Sequence, residues 1–320
     1  MRLRILIATA IGLASGFLCW LLMARLQLGA GDFTWAIRAA QDLLARRNPY
    51  GSPLQLYPLP AAVFGLPFVW MRPEIAAGIF YGSSTALLAF GLSRERYHRL
   101  LIFLAYPYWA GILTAQWSPL IMASAFFPLL LPATLAKPQI GLPVALTRFS
   151  RRGAIACAAV LLLSLAIAPK WPWLWMANAA HYERFVPLLV FPGFLLALAP
   201  LRHRDRDAML LLLMAITPQR WFYDSFILWL IPKTRRAIVG TVFLSWVPGI
   251  WRWYHTPHTY HEVGKWSVCF IYLPMLVVVL MRSFGSSVKS GPRDLGFGAG
   301  EGSLPVLNRF HQRQGEQHEG

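Results

Sequence analysis

The sequence predicts an all-α protein, a polytopic transmembrane helical bundle of about 10 to 12 helices at about 20 residues per span. Three observations predict this fold class. The 320 residues are 57% hydrophobic and only 13% charged, with a mean hydropathy of +0.48. Apolar runs recur from one end of the chain to the other. Basic residues fall between these runs, which is the pattern that sets orientation in a membrane.

The positive charge of the chain has two possible meanings. A net charge of +17 would suggest nucleic-acid binding in a soluble protein. Because the basic residues here punctuate apolar runs, we expect membrane lipid and no nucleic acid as partners. The three cysteines, Cys19, Cys157 and Cys269, lie within apolar runs without pairing or metal-ligand spacing, so we interpret them as small core residues.

The chain begins with a short basic segment, Met-Arg-Leu-Arg, and an apolar run over 5–23. A signal peptide is the competing interpretation, but the run is long for a signal sequence and many further spans follow. We therefore expect an uncleaved first helix whose N-terminus lies in the cytoplasm.

A polar loop over 25–57 follows and contains an amphipathic helix. Its apolar and polar faces are formed by Phe33, Ile37, Ala40 and Leu44 and by Arg38, Gln41, Asp42, Arg46 and Arg47, respectively. Such a helix lies along a membrane surface, which would place Asp32 at the boundary between water and lipid. Asp32 either caps this helix or takes part in chemistry, and the residues alone leave both open.

Clusters of basic residues alternate with aromatic, proline-rich intervals along the rest of the chain. The clusters are Arg94, Arg96 and Arg99; Arg148, Arg151 and Arg152; Arg202, Arg204 and Arg206; Lys233, Arg235 and Arg236; and Arg282. The intervals are 106–119, 169–185, 217–224 and 248–265. Assigning the clusters to the cytoplasm predicts a multi-pass protein of the plasma (inner) membrane. Both termini would be cytoplasmic, and the intervals and the 25–57 loop would be periplasmic or extracellular.

Two stretches do not divide evenly into spans. Residues 57–92 and 119–146 are each too long for one crossing and short for three, and both are rich in proline. We expect one of them to contain a broken or re-entrant helix, which is tolerated where it lines a cavity. The membrane domain should cover 1–282, and the Gly/Ser-rich tail over 283–320 should be a disordered cytoplasmic segment.

The chemistry-bearing residues concentrate on the proposed outer face. They are Asp32, Asn48, Gln116, Lys137, Gln139, Lys170, His181, Arg220, Tyr223, Asp224 and His255. Lys137 lies between apolar stretches, where a cation is costly, and it either serves a ligand or snorkels to the interface. An acid, several cations and many aromatic rings on one membrane face suit a lipid-linked anionic substrate.

Metal ions and cofactors are not expected. The only metal-like spacing, His255, His258 and His261 beside Glu262, is interrupted by Pro257. Outer loops rich in His, Trp and Tyr are common at membrane interfaces. The chain also has no Gly-rich phosphate loop and no nucleotide fingerprint.

Several stretches resemble, in order and spacing, glycosyltransferase family 87, a group of polyprenol-phosphate-mannose-dependent enzymes in the GT-C superfamily. They are Gly31-Asp32-Phe33, Asn48-Pro49-Tyr50 and Tyr57-Pro58-Leu59-Pro60; then Ala115-Gln116-Trp117-Ser118-Pro119 and Ala136-Lys137-Pro138-Gln139; and finally Ile216-Thr217-Pro218-Gln219-Arg220-Trp221-Phe222-Tyr223 through Pro232. The resemblance implies a GT-C-like bundle that transfers a sugar, in this family mannose, with inversion on the outer face of the membrane.

The resemblance also implies partners and roles. The sugar donor would be a polyprenyl-phosphate sugar, and the acceptor a lipid or glycan hydroxyl. Asp32 would act as the base. The sugar donor and its phosphate would be held by Lys137, Arg220, Gln116, Gln139 and Tyr57. The acceptor or the pocket wall would contact Asn48, Tyr50, Trp221 and Tyr223.

Two other functions remain open at this point. A lipid or solute transporter or flippase also uses broken helices with polar residues near the membrane midplane. Against it, the sequence has no internal repeat and little charge within its spans. A GT-C-like scaffold without activity is the other alternative.

Overall fold

The computed structural model describes residues 1–52, 55–180, 183–255 and 259–282, all within one compact unit, Met1–Ser283. Helices account for 77% of the structure. These ranges contain no strand, and their single β-bridge pairs Phe185 with Gln219. The all-α prediction is therefore confirmed. The tail over 283–320, which the sequence predicts to be disordered, lies outside the described residues.

Fourteen α-helices and several 3₁₀ segments make up the described chain. The α-helices are α1 (Arg2–Leu26), α2 (Thr34–Leu44), α3 (Ala62–Gly65), α4 (Pro73–Glu95), α5 (Tyr106–Ile112), α6 (Ser118–Ala123), α7 (Ala133–Ala136), α8 (Pro138–Thr147), α9 (Arg151–Ile167), α10 (Trp171–Ala180), α11 (Arg206–Ile216), α12 (Arg235–Tyr254), α13 (Tyr260–Ser267) and α14 (Leu273–Leu280). The 3₁₀ segments are Gly31–Phe33, Leu59–Ala61, Leu66–Phe68, Tyr97–Leu104, Pro128–Leu130, Pro187–Leu189, Gly193–Arg202 and Phe222–Leu230, and a π-helical turn, Val268–Tyr272, joins α13 to α14.

Three helices in the described ranges are long and apolar enough to cross a membrane: Arg2–Leu26, Pro73–Glu95 and Tyr260–Leu280. A fourth candidate is the pair α9 and α10, which bends by 94° at its break. This is fewer than the 10 to 12 spans that we expect from the apolar runs. The 119–146 stretch shows why, since α6, α7 and α8 are short pieces that begin at or next to prolines. Three candidate spans still indicate association with a membrane.

The two longest candidate spans, α1 and α4, pack closely through small residues. A Cβ atom at Gly82 would lie 2.8 Å from the Gly12 carbonyl oxygen and 3.0 Å from the Gly16 Cα. A Cβ atom at Gly16 would lie 2.7 Å from the carbonyl oxygen of Gly78. Both helices thus present glycines four residues apart, the spacing that lets membrane helices approach backbone to backbone.

The amphipathic helix expected in the first loop is α2. Ile37 and Ala40 on its apolar face are buried, Phe33 just before it is fully buried, and Arg38 is exposed. Leu44 is the exception, because it is 57% exposed. It is the last helical residue, and the chain turns away from the core at Arg46, whose φ is +55°.

Residues from the basic clusters meet in one ion-pair network, the basic network, formed by Arg148, Asp205, Asp207, Lys233 and Arg282. Asp207 pairs with Arg148, with Arg282 at 2.9 Å and with Lys233 at 3.9 Å, and Asp205 pairs with Arg282 at 2.8 Å. Burial opposes ionisation of Asp207, but the charges of Lys233, Arg148 and Arg282 hold its pKa below the ordinary value. Clusters far apart in sequence therefore share one end of the fold.

A second polar cluster lies away from this network. Lys137 immediately precedes α8 and Arg148 immediately follows it. At 1.5 Å per residue, the two lie roughly 16 Å apart along the helix axis. The second cluster, around Lys137, is the candidate functional site.

Candidate functional site

The backbone at Asp32 is fixed by a close contact with another loop. The Asp32 N–H donates to the Thr114 carbonyl at 2.8 Å. Gly31 has a φ of +54°, and a Cβ atom there would lie 2.5 Å from the same carbonyl oxygen. Only glycine fits this conformation and this approach. On the other side of Asp32, Phe33 stacks on Phe80 with ring centroids 3.9 Å apart.

The Asp32 carboxylate faces the neighbouring polar side chains. Its Oδ2 accepts hydrogen bonds from the Tyr57 hydroxyl at 2.9 Å and from the Gln116 amide, and it lies 3.8 Å from Lys137 Nζ. The first turn of α2 carries no side-chain cap, and its N-cap residue is Phe33. The geometry therefore favours Asp32 as a member of a polar network over Asp32 as a helix cap.

Tyr57 is a fixed hydrogen-bond donor to this carboxylate. Its ring lies 6.0 Å from that of Trp117, and its carbonyl accepts from the Tyr50 hydroxyl at 3.0 Å. Burial, followed by the negative charge of Asp32, raises the pKa of Tyr57 well above its ordinary value. The hydroxyl consequently keeps its proton and donates to Asp32.

Lys137 is buried rather than snorkelling to an interface. Its residue exposure is 5%, and Nζ donates to Asp224 Oδ1 at 2.6 Å and to Gln116 Oε1 at 2.7 Å. The ammonium also lies 4.8 Å from the centroid of the Tyr223 ring, within the range of a cation–π contact. The snorkelling alternative is therefore wrong, because the ammonium lies inside the fold. Asp224 supplies the counter-ion that a buried cation needs.

Asp224 ties the later motif to the earlier ones. It is fully buried, and its Oδ2 accepts from the Arg220 N–H at 3.3 Å while Oδ1 binds Lys137. The Arg220 side chain donates from Nε to the Tyr260 hydroxyl at 3.0 Å. Asp32, Tyr57, Gln116, Lys137 and Asp224 thus form one connected set, here called the acid–lysine network.

A cavity of about 490 Å³ adjoins the acid–lysine network. One part of its wall is apolar and comes from Leu142, Trp175, Met176, Ala179 and Ala180. Its polar lining comes from Tyr57, Lys137, Gln139, Arg184, Arg220, Tyr223 and Asp224. Asp32 does not line the cavity itself but borders it through Tyr57 and Lys137. The side chain of Asp32 is 22% exposed, against 6% for Lys137 and none for Asp224.

Three of the predicted site residues lie outside this arrangement. Asn48 is exposed, and its side-chain oxygen accepts from the Tyr50 N–H at 3.0 Å. Tyr50 is buried and supports Tyr57 instead of lining the cavity. Trp221 packs on Tyr260, with ring centroids 5.0 Å apart, beneath the Arg252 guanidinium. Their proximity in sequence to Tyr57 and Tyr223 does not bring them to the cavity.

Two residues of the site have no role in the sequence interpretation. Asp224 appears there only as one polar residue among many, although a buried lysine demands a carboxylate partner. Arg184 lines the cavity from the connection after α10. No motif contains it, and only the fold brings it to the cavity.

The described residues hold no group of three or more His, Cys, Asp and Glu side chains that could bind a metal ion. Of the histidine spacing in the last outer interval, His255 and His261 are exposed. His258 lies outside the described residues.

Comparison with known proteins gives no relative of this chain: no family model matches it, and no match is found among curated proteins or solved structures.

Proposed function

We propose that this chain is a membrane glycosyltransferase that moves a sugar, mannose in the first instance, from a polyprenyl-phosphate carrier to a hydroxyl of a glycan or glycolipid. The observation that carries the proposal is the acid–lysine network beside a mostly apolar cavity. It joins a partly exposed carboxylate, Asp32, to a buried cation, Lys137, at 3.8 Å. A base and a phosphate-binding cation are the two groups that such a transfer needs.

The cavity has the size and lining for the head of the sugar donor. Its volume of about 490 Å³ falls within the usual range of small-molecule sites. The apolar wall of Trp175, Met176 and Leu142 suits the first isoprene units, and the rest of the carrier chain would lie in the bilayer.

The charge balance of the site suits a phosphodiester. Three cations, Lys137, Arg184 and Arg220, face two carboxylates, Asp32 and Asp224. One positive charge is in excess, and a sugar phosphodiester carries one negative charge. Arg184 and Arg220 line the cavity and would receive the charge that develops on the departing phosphate.

The transfer breaks one bond and forms one. The acceptor hydroxyl oxygen attacks the anomeric carbon and forms the new glycosidic bond, while the bond from that carbon to the phosphate oxygen breaks. The hydroxyl proton passes to Asp32, and polyprenyl phosphate leaves on the opposite face, so the configuration inverts. The contacts that the described chain makes to this carboxylate go to Oδ2, so Oδ1 would be the oxygen that takes the proton.

We place the site at the outer end of a GT-C-like multi-pass bundle, with the 25–57 loop outside and both termini in the cytoplasm. The support is the separation of the basic network from the acid–lysine network at opposite ends of α8. Lys and Arg clusters mark the cytoplasmic ends of membrane helices. Short helical pieces such as α6, α7 and α8 would complete broken spans around the cavity.

The test is product analysis in vesicles that contain the full chain, a radiolabelled polyprenyl-phosphate mannose and membrane lipid acceptors. We expect the label to appear in a new glycosidic product and polyprenyl phosphate to accumulate. Movement of the intact labelled carrier between leaflets without a new product would indicate a flippase instead. Recovery of the unchanged carrier in its original leaflet would indicate a protein without transferase activity.

A further inference from the structure

A second pocket, of about 410 Å³, lies at the end of the fold that carries the basic network. The end of α8 and the start of α11 form its sides. Three of its lining residues are basic, His203, Arg204 and Arg206, and all three are exposed. No carboxylate is among its lining residues within the described chain. The acid–lysine network does not contribute to it.

The arginines of this pocket are not needed to neutralise the acids beside them. Asp205 and Asp207 already pair with Arg282, and Asp207 pairs also with Arg148 and Lys233. In the part of the chain that the structure describes, Arg204 and Arg206 make no ion pair. Arg206 also stands in the first turn of α11, where a positive charge opposes the helix dipole. The pocket therefore keeps an uncompensated positive charge.

The remaining walls of the pocket are apolar and open to the surroundings. Leu146 is 57% exposed and Phe149 is 65% exposed. Met209 and Leu213 of α11 add further apolar surface. A free phosphate ion would gain nothing from contact with apolar walls, whereas a phospholipid carries a charged headgroup next to apolar acyl chains.

We propose that this pocket binds the headgroup of an anionic phospholipid, with Arg204 and Arg206 on the phosphate and an acyl chain against Leu146 and Phe149. The membrane supplies this ligand, because the chain has candidate spans. The inference does not rest on the proposed sugar transfer, and either can fail without the other.

The test is native mass spectrometry of the delipidated full chain, titrated with phosphatidylglycerol and with phosphatidylcholine of the same acyl chains. Arg204→Gln/Arg206→Gln should weaken phosphatidylglycerol binding by about 30-fold, since each arginine near an anionic lipid surface contributes about 1 kcal/mol. The matched control is Arg151→Gln/Arg152→Gln. It removes the same charge from exposed first-turn positions of α9 outside the pocket, and it should bind as wild type does.

Two further measurements separate a lipid from a free phosphate. Phe149→Ser should weaken phosphatidylglycerol binding, and glycerol phosphate without acyl chains should not compete at lipid concentrations. The proposal is overturned if the Arg204/Arg206 variant binds as wild type, if both double variants lose binding equally, or if glycerol phosphate competes as well as the lipid does. Melting temperatures that match wild type establish that each variant is folded.

Discussion

At the scale of single residues, the fold explains how a lysine, Lys137, is accommodated between apolar stretches. Its charge is matched by Asp224, a fully buried carboxylate 87 positions later in the chain. Each member makes the burial of the other tolerable, since an unpaired charge in the interior is costly. The two residues are therefore one structural unit, and a substitution of one alone leaves the other buried without its counter-ion.

The first prediction concerns this pair. Lys137→Met should lower the free energy of unfolding by about 3 to 5 kcal/mol, because Asp224 is left buried and unpaired. Asp224→Asn should be destabilising for the corresponding reason. The double variant Lys137→Met/Asp224→Asn should be more stable than the sum of the single effects predicts. Denaturation in detergent micelles measures all four proteins, and strictly additive losses would contradict the pairing.

The same double variant separates folding from sugar transfer. It should lose binding of the polyprenyl-phosphate donor, because the cation is gone while the fold is retained. Undiminished binding of the donor by a folded double variant would remove Lys137 from the phosphate site and leave the ion pair as a purely structural feature.

At the scale of elements, the contact between α1 and α4 depends on the absence of side chains. Gly82→Ala places a Cβ atom 2.8 Å from a backbone oxygen of α1, so one helix must move. We expect a loss of about 1 to 3 kcal/mol, as for other overpacked sites. Gly240→Ala in α12 is the control, because a Cβ atom there has no neighbour within 4 Å. It should be neutral or stabilising by up to about 1 kcal/mol.

Thermal unfolding of the two glycine variants in the same detergent decides this point. If Gly82→Ala unfolds at the wild-type temperature, or if Gly240→Ala is destabilised as much, then close packing of α1 on α4 does not require glycine at position 82.

The sequence predicts elements well where one face differs from the other. The period of Phe33, Ile37 and Ala40 predicts α2, in which Ile37 and Ala40 are buried together with Ala36 and Ala39. Prediction from periodicity fails for Phe222–Leu230, a 3₁₀ segment that is buried along its whole length. An apolar run without a polar face has no hydrophobic periodicity, so only its length can be used to predict its structure, and the length suggests a membrane span. The site is also only partly predictable. A buried Lys137 requires a carboxylate partner, but only the fold identifies Asp224 as that partner and brings Arg184 to the cavity.

At the scale of the whole molecule, the acid–lysine network lies beside the N-terminal third of α4, one of the candidate spans. Phe33, next to Asp32, stacks on Phe80, which is seven residues into α4. At 1.5 Å per residue, Phe80 lies roughly 10 Å along the helix axis from the N-terminal end of α4. The sequence predicts that Asp32 lies at the boundary between water and lipid, and this stays a prediction. In the proposed transfer, the cavity would be the route by which a lipid carrier reaches the network.

A prediction at this scale concerns sidedness. In a cysteine-free background, Ser52→Cys should react with a membrane-impermeant thiol reagent in intact cells, because it belongs to the proposed outer loop. Ser286→Cys, in the proposed cytoplasmic tail, should react only after permeabilisation. Labelling at 286 but not at 52 in intact cells would contradict the topology and, with it, an outward-facing site.

The central claim is that Asp32 acts as a base, and Asp32→Asn tests it most directly. Asparagine keeps the shape of the side chain and an oxygen that can accept from Tyr57 and Gln116, but it cannot take a proton from the acceptor. The measurement is the initial rate of sugar transfer from labelled polyprenyl-phosphate mannose in vesicles, at matched protein abundance. Asp42→Asn, on the exposed side of α2 and paired only with Arg47 in the described chain, is the control.

The account predicts that Asp32→Asn lowers the rate of transfer by roughly 10²-fold or more, the usual scale of general-base catalysis, with wild-type abundance and melting temperature. Asp42→Asn should transfer sugar at nearly the wild-type rate. Transfer by Asp32→Asn at a rate close to that of Asp42→Asn would contradict the account, because Asp32 would then be a structural residue of the network.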